Sequence, residues 1–161
     1  MKVLDMNQTH HKCLGLPRLA AALFLFLGLT GCSSFQRDWK SAAHVPVAAH
    51  DIQGRWEGTW LSDRNGHTDQ LRCLLTTNGS GLYQARFRAK YRKIFTFSYT
   101  VPLQVRETPA QWEFQGDANL GWYAGGLYHY EGHATPTNFF STYRCPSDRG
   151  TFRLKRPASE K

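Results

Sequence analysis

The sequence predicts an all-β domain, an antiparallel up-and-down barrel of about eight strands. Three observations carry this expectation. From Gly54 onward apolar and polar residues alternate with period two. Turn-forming residues recur at intervals of roughly ten, short enough to join antiparallel neighbours. Between them no segment has an amphipathic helical period. Closing such a chain of hairpins on its aromatic face removes the exposed sheet edges. A two-sheet sandwich is the alternative, because alternation fixes two faces and not closure.

The elements follow in order. Trp56, Gly58 and Trp60 alternate with Arg55, Glu57 and Thr59 in the first strand. A polar turn at Asp63-Arg64-Asn65-Gly66 precedes Leu71, Cys73 and Leu75, which share one face of the second. Asn78-Gly79-Ser80-Gly81 is a strong turn. The third strand has the longest alternation, with Tyr83, Ala85, Phe87, Ala89 and Tyr91 on one side and Gln84, Arg86, Arg88, Lys90 and Arg92 on the other. After a bend at Lys93-Ile94, Phe95, Phe97, Tyr99, Val101, Leu103 and Val105 continue the pattern. Trp112 with Phe114, Tyr128 with Tyr130, Phe139 with Tyr143, and Phe152 with Leu154 mark four further strands.

Gly54-Arg55-Trp56, at the start of the first strand, resembles the Gly-x-Trp signature that opens lipocalins and related calycin barrels. The resemblance implies a Trp that plugs one barrel end beneath an Arg from the last strand, here Arg153 or Arg156. It bears on fold more than on activity, since barrels of this shape host unrelated functions.

The N-terminus carries a different signal. Lys2, Lys12 and Arg18 precede the 11-residue apolar run Leu19 to Leu29. A spanning helix needs about 20 residues, so the run reads as a signal-peptide core. Leu29-Thr30-Gly31-Cys32 follows and resembles the bacterial lipobox. The resemblance implies diacylglycerol and acyl modification of Cys32, cleavage before it, and a lasting bilayer anchor. Ser33 at the next position implies sorting to the outer membrane, facing the periplasm. The expected layout is a signal peptide over 1–31, the lipidated Cys and a flexible tether over 32–51, the β-domain over 52–157 and a tail over 158–161.

Without residues 1–31 the chain keeps 17 Lys and Arg against 11 Asp and Glu, a net charge of about +6. A basic domain beside an anionic bilayer is drawn to it. Nucleic acid is excluded as a partner by compartment. Cys13 leaves with the leader and Cys32 carries lipid, so Cys73 and Cys145 are left as an even pair, which in an oxidising compartment favours one disulfide over two free thiols.

Three further groups are candidates for function. Arg86, Arg88, Lys90 and Arg92 form a basic ladder that suits phospholipid headgroups, lipid A phosphates or an acidic glycan, or is simply a solvated strand face. Trp122 and Tyr123, set among glycines, project from a barrel-mouth loop towards an apolar ligand or fold inward to fill the barrel. His129, Glu131 and His133 point the same way from one strand, as zinc ligands of an enzyme or as an outward polar face. No Ser–His–Asp pattern, Cys–His pair or phosphate-binding loop occurs. The expectation is a non-enzymatic, membrane-anchored binding or structural module with no cofactor, whose ligand, if it has one, is a lipid or another apolar molecule. The alternatives are docking to anionic envelope material and a zinc-dependent enzyme.

Overall fold

A computed structural model describes residues 29–48 and 50–158, with side chains from Ser34 onward. The signal-type run up to residue 28 and the Cys32 side chain, where cleavage and lipidation are expected, lie outside the described residues. Eight antiparallel strands close into one barrel in sequence order: β1 (Gly54–Ser62), β2 (Thr68–Thr77), β3 (Leu82–Tyr91), β4 (Phe95–Glu107), β5 (Trp112–Asn119), β6 (Leu127–Ala134), β7 (Asn138–Arg144) and β8 (Arg149–Lys155). β8 pairs back on β1, with Trp60 opposite Phe152, so the wall has no free edge. The predicted inward faces hold. Trp56, Leu71, Cys73, Leu75, Phe87, Val101, Leu103, Phe114, Phe139 and Leu154 are all buried in one core.

One end of the barrel is plugged. Trp56 is fully buried and its indole Nε1 donates to the Ile52 carbonyl at 2.8 Å. The Arg156 guanidinium lies 3.8 Å from the centre of the Trp56 ring and donates to the carbonyls of Gln53, Asp51 and Pro136. Of the two arginines expected there, Arg156 takes the position, and Arg153 instead lies over the Phe140 ring. Burial pushes the Arg156 group down to about 10, with Asp51 opposing the shift, so it still carries its charge at neutral pH. The Phe114 and Phe139 rings stack at 4.6 Å and complete the packed half of the interior.

The wall is strongly tilted. The hydrogen-bonded row Trp56, Cys73, Phe87, Tyr99 starts at the plug and climbs towards the opposite end as it passes from β1 to β4. Gly132 allows the tight interior, because a Cβ there would meet the Phe140 carbonyl and the Phe114 ring.

The first part of the expected tether, 32–44, is helical. α1 (Leu29–Ser41) is continued by a 3₁₀ turn at Ala42–His44, and from Phe35 onward it lies against the outside of the barrel. Phe35 and Trp39, at i and i+4 on one helix face, bury themselves against Leu74, the outward residue of β2. Fully burying two such rings contributes roughly 3–6 kcal/mol, enough to hold a short helix in place. Around them Arg86 and Arg88 flank the Phe35 ring, and Arg55 and Arg72 flank Trp39. Arg86 donates to Asp38 at 2.6 Å, and Arg88 to the Gln36 side chain at 3.1 Å.

The Arg86 hydrogen bond, helped by Arg37, holds the Asp38 carboxyl below its ordinary value. Its contribution is therefore complete above the unfolded carboxyl range, near pH 4, and is lost as pH falls through the lowered folded value. Helix docking, read from Trp39 emission, is expected to stay constant from pH 7 to about pH 5 and to weaken only in stronger acid. An Asp38→Asn variant is expected to lose that acid transition.

Candidate functional site

The end opposite the plug is open. A cavity of about 640 Å³ enters the barrel there, lined by Trp60, Leu71, Ala89, Phe97, Tyr99 and Phe152 with Tyr128, Tyr130 and Tyr143. Its floor is the top of the packed core, where Phe87 stacks on Tyr99 at 5.3 Å and meets Phe152 at 5.4 Å. Burial pushes the Tyr99, Tyr128, Tyr130 and Tyr143 phenols well up, so all four stay neutral. They supply hydroxyls without charge, and they are already used: Tyr99 bonds Tyr130, and Tyr143 donates to Asp148 at 3.1 Å. Asp148 also accepts from the Ser62 hydroxyl at 2.8 Å. The resulting surface is aromatic, with its polar atoms largely paired, and suits an apolar body with few polar groups.

The mouth is framed by loops that the sequence sets locally. The β5–β6 loop turns on Gly121, Gly125 and Gly126, all at positive φ that side chains other than glycine rarely adopt. A 3₁₀ turn between them carries Trp122 and Tyr123, which are 91% and 80% exposed. These rings project outward, so of the two expectations for them the projecting loop is the one observed; Tyr123 also borders the cavity. On the other side the His67 ring lies between Trp60 and Tyr91, at 5.1 and 4.8 Å, with its buried Nε2 without a hydrogen-bond partner.

The cysteines correct an expectation. Cys73 and Cys145 are both free thiols. Cys73 points into the core from the middle of β2, whereas Cys145 follows β7 at the mouth, with β1 and β8 between the two strands around the wall. Burial pushes the Cys73 thiol up, which makes it inert. For Cys145 burial works upward too, but hydrogen bonds from Ser147, Tyr128 and nearby amides outweigh it and hold the thiol below its ordinary value. Native protein treated with iodoacetamide is expected to label at Cys145 and not at Cys73, which becomes reactive only in denaturant.

The basic ladder is largely engaged within the chain. Arg86 and Arg88 support α1 as described, Arg92 folds over its neighbour Tyr91, and Lys90 is exposed. As a continuous docking face for anions it is broken by the helix. His129, Glu131 and His133 point outward. His129 pairs with Asp117, Glu131 lies 3.7 Å from Arg144, and His133 packs on Phe140. Of the two readings for these residues the outward polar face is the one observed, and among the described residues no group of three or more His, Cys, Asp or Glu side chains is arranged to hold a metal ion. His67 lies in the aromatic stack, and Asp69 accepts the backbone amides of Lys93 and Gln70.

A larger concavity, about 890 Å³, lies outside the wall over β4–β6 and is bordered by Gln104, Arg106, Glu113, Glu131 and His133. It is shallower, with a mixed polar and apolar lining that includes Phe114 and Phe140, whereas the mouth cavity is deeper and mostly apolar. The fold and site define a closed up-and-down barrel with one plugged and one aromatic, open end. Compared with protein-family models, curated proteins and solved structures, the chain matches none at a significant level. Among the described residues no helix is long and apolar enough to cross a membrane.

Proposed function

We propose that this chain is a lipid-anchored envelope protein whose barrel binds one apolar, acyl-like ligand at its mouth and performs no catalysis. The observation that carries the reading is the aromatic cavity of about 640 Å³ above a solid core. Ligand pockets of about 300–1,000 Å³ enclose small molecules well, and a lining of rings and neutral hydroxyls, with the one lining carboxylate, Asp148, already bonded to Ser62 and Tyr143, favours a hydrocarbon body over an ionic one. Anchoring is supported by the lipobox-like Leu29-Thr30-Gly31-Cys32, with the diacylglycerol and acyl chains on Cys32. In a two-membrane envelope Ser33 favours the outer membrane, facing the periplasm. The Trp56–Arg156 plug supports kinship of design with calycin barrels, many of which are ligand carriers by shape.

Native mass spectrometry of protein extracted from the envelope in mild detergent tests the reading. The expected spectrum contains, beside the acylated chain, a complex with one additional apolar molecule that is lost on denaturation. A spectrum with only the acylated chain, under conditions that preserve a control lipid carrier, would contradict it.

A further inference from the structure

We propose that the barrel docks mouth-down on an anionic bilayer, seating the β3–β4 turn and the β5–β6 loop in the lipid interface. The proposal rests on the ligand reading above and adds the source of the ligand, the bilayer beneath the mouth. The first support is the distribution of exposed apolar side chains. Six of the ten exposed large apolar residues among those described, Ile94, Phe95, Phe97, Trp122, Tyr123 and Leu127, belong to two mouth loops and their strand ends. Val45, Val47 and Leu82 at the plugged end are less concentrated and, at 39–61%, less exposed than Ile94, Trp122 and Tyr123. The turns at the plugged end, 78–81, 108–111 and 135–137, contain no large apolar residue. Ile94 and Trp122 are 80% and 91% exposed, far beyond what packing within the domain requires. Trp and Tyr combine an apolar ring with a polar edge and suit the headgroup level of a bilayer.

Charge agrees with this occupant. Arg92 and Lys93 stand at the β3–β4 tip, and neither 91–106 nor 118–130 carries an acidic residue. The nearest acid, Asp69, is committed to the amides of Lys93 and Gln70. Arg92 and Lys93 both adopt positive φ, 52° and 61°, where Asn or Gly sits with less strain. The strain is consistent with a tip selected for its cations rather than for turn preference.

The helix supplies an independent argument. The row from Trp56 to Tyr99 climbs from plug to mouth in passing from β1 to β4. α1 runs the opposite way, with Phe35 over β3, Trp39 over β1 and β2, and the chain then reaching Val47 beside Gly54 at the plugged end. The Phe35 end of the helix is therefore nearer the mouth than the Trp39 end. Only Ser33 and Ser34 separate Cys32 from the buried Phe35, about 5 Å of helix. An anchor on Cys32 would thus hold the barrel within a few residues of the membrane, on the side to which the Phe35 end of the helix leans.

The test uses the full lipidated protein in phosphatidylethanolamine–phosphatidylglycerol vesicles with brominated acyl chains. The Trp122 signal is the difference between wild type and Trp122→Phe. Docking predicts that brominated chains quench it about threefold, because the ring lies at the headgroup–acyl boundary. An Ile94→Asp, Phe95→Asp double variant, checked for wild-type circular dichroism, is expected to regain full emission. Unquenched Trp122 that is open to aqueous iodide, in protein that floats with the vesicles, overturns the docking and leaves ligand binding to stand on mass spectrometry. Quenching that persists unchanged in the double variant overturns the two-loop seating, because it leaves the β3–β4 turn with no part in the contact. Protein that fails to float with the vesicles overturns docking and anchoring together.

Discussion

Replacing Trp56 by Ala is expected to destabilise the barrel by about 4–5 kcal/mol, the upper part of the range for loss of a fully buried aromatic ring. Three losses coincide at this position. The ring is 0% exposed and packs against Phe139 at a centroid distance of 5.7 Å, so its removal leaves a cavity in the tightest part of the core. The Ile52 carbonyl loses the indole donor that now reaches it at 2.8 Å. The Arg156 guanidinium loses the aromatic face beneath it and keeps a half-buried charge supported by backbone carbonyls alone. Urea unfolding followed by circular dichroism measures the effect as a shift in midpoint. Trp56→Phe, which keeps a ring but not the indole donor, is expected to cost about half as much. A midpoint for Trp56→Ala within error of wild type would mean that the plug does not hold the fold.

An Ala89→Phe substitution is expected to abolish apolar ligand binding while leaving the fold intact. Ala89 is buried, faces inward from the mouth end of β3, and lines the cavity beside Trp60 and Leu71. A phenyl group there enters space that is open in the native barrel, so overpacking costs at most about 1–3 kcal/mol. The same ring takes the volume an acyl chain would use. Affinity for a long-chain fatty acid is expected to fall by at least about 30-fold, equivalent to roughly 2 kcal/mol. Phe97→Ala acts in the opposite sense on shape, by widening the entrance, and serves as the control for a general loss of packing.

The strands were legible because their signal is local. Each has two faces, and a period-two alternation of aromatic and charged residues states which face is which; Tyr83 to Arg92 is the clearest case. Closure was a matter of strand number and edge avoidance, and the Gly-x-Trp at Gly54–Trp56 pointed to the end that is plugged. The helix was not legible as such. Phe35, Trp39 and Ala42 do stand at i, i+4 and i+7, but the run is short, and its partner Leu74 breaks the β2 alternation, a signal visible only once the two are considered together. The same docking removed Arg86 and Arg88 from the ladder, since a strand pattern cannot tell a solvated cation from one paired with a distant helix. The two cysteines failed as a pair because their number and compartment say nothing about the strands that lie between them. The cavity depends on how far the aromatic side chains fill the barrel, a volume question that alternation does not answer.

Resonance energy transfer from tryptophan to a conjugated polyene fatty acid tests ligand binding at the mouth most directly. Trp60 lines the cavity and is the natural donor to a chain lodged there. Saturable transfer is expected with one fatty acid per chain, at a Kd in the micromolar range or tighter, about −8 kcal/mol, and is expected to be lost in Ala89→Phe. Absence of saturable transfer in the wild type at fatty-acid concentrations up to its solubility limit, or equal transfer in wild type and Ala89→Phe, would contradict ligand binding at the mouth.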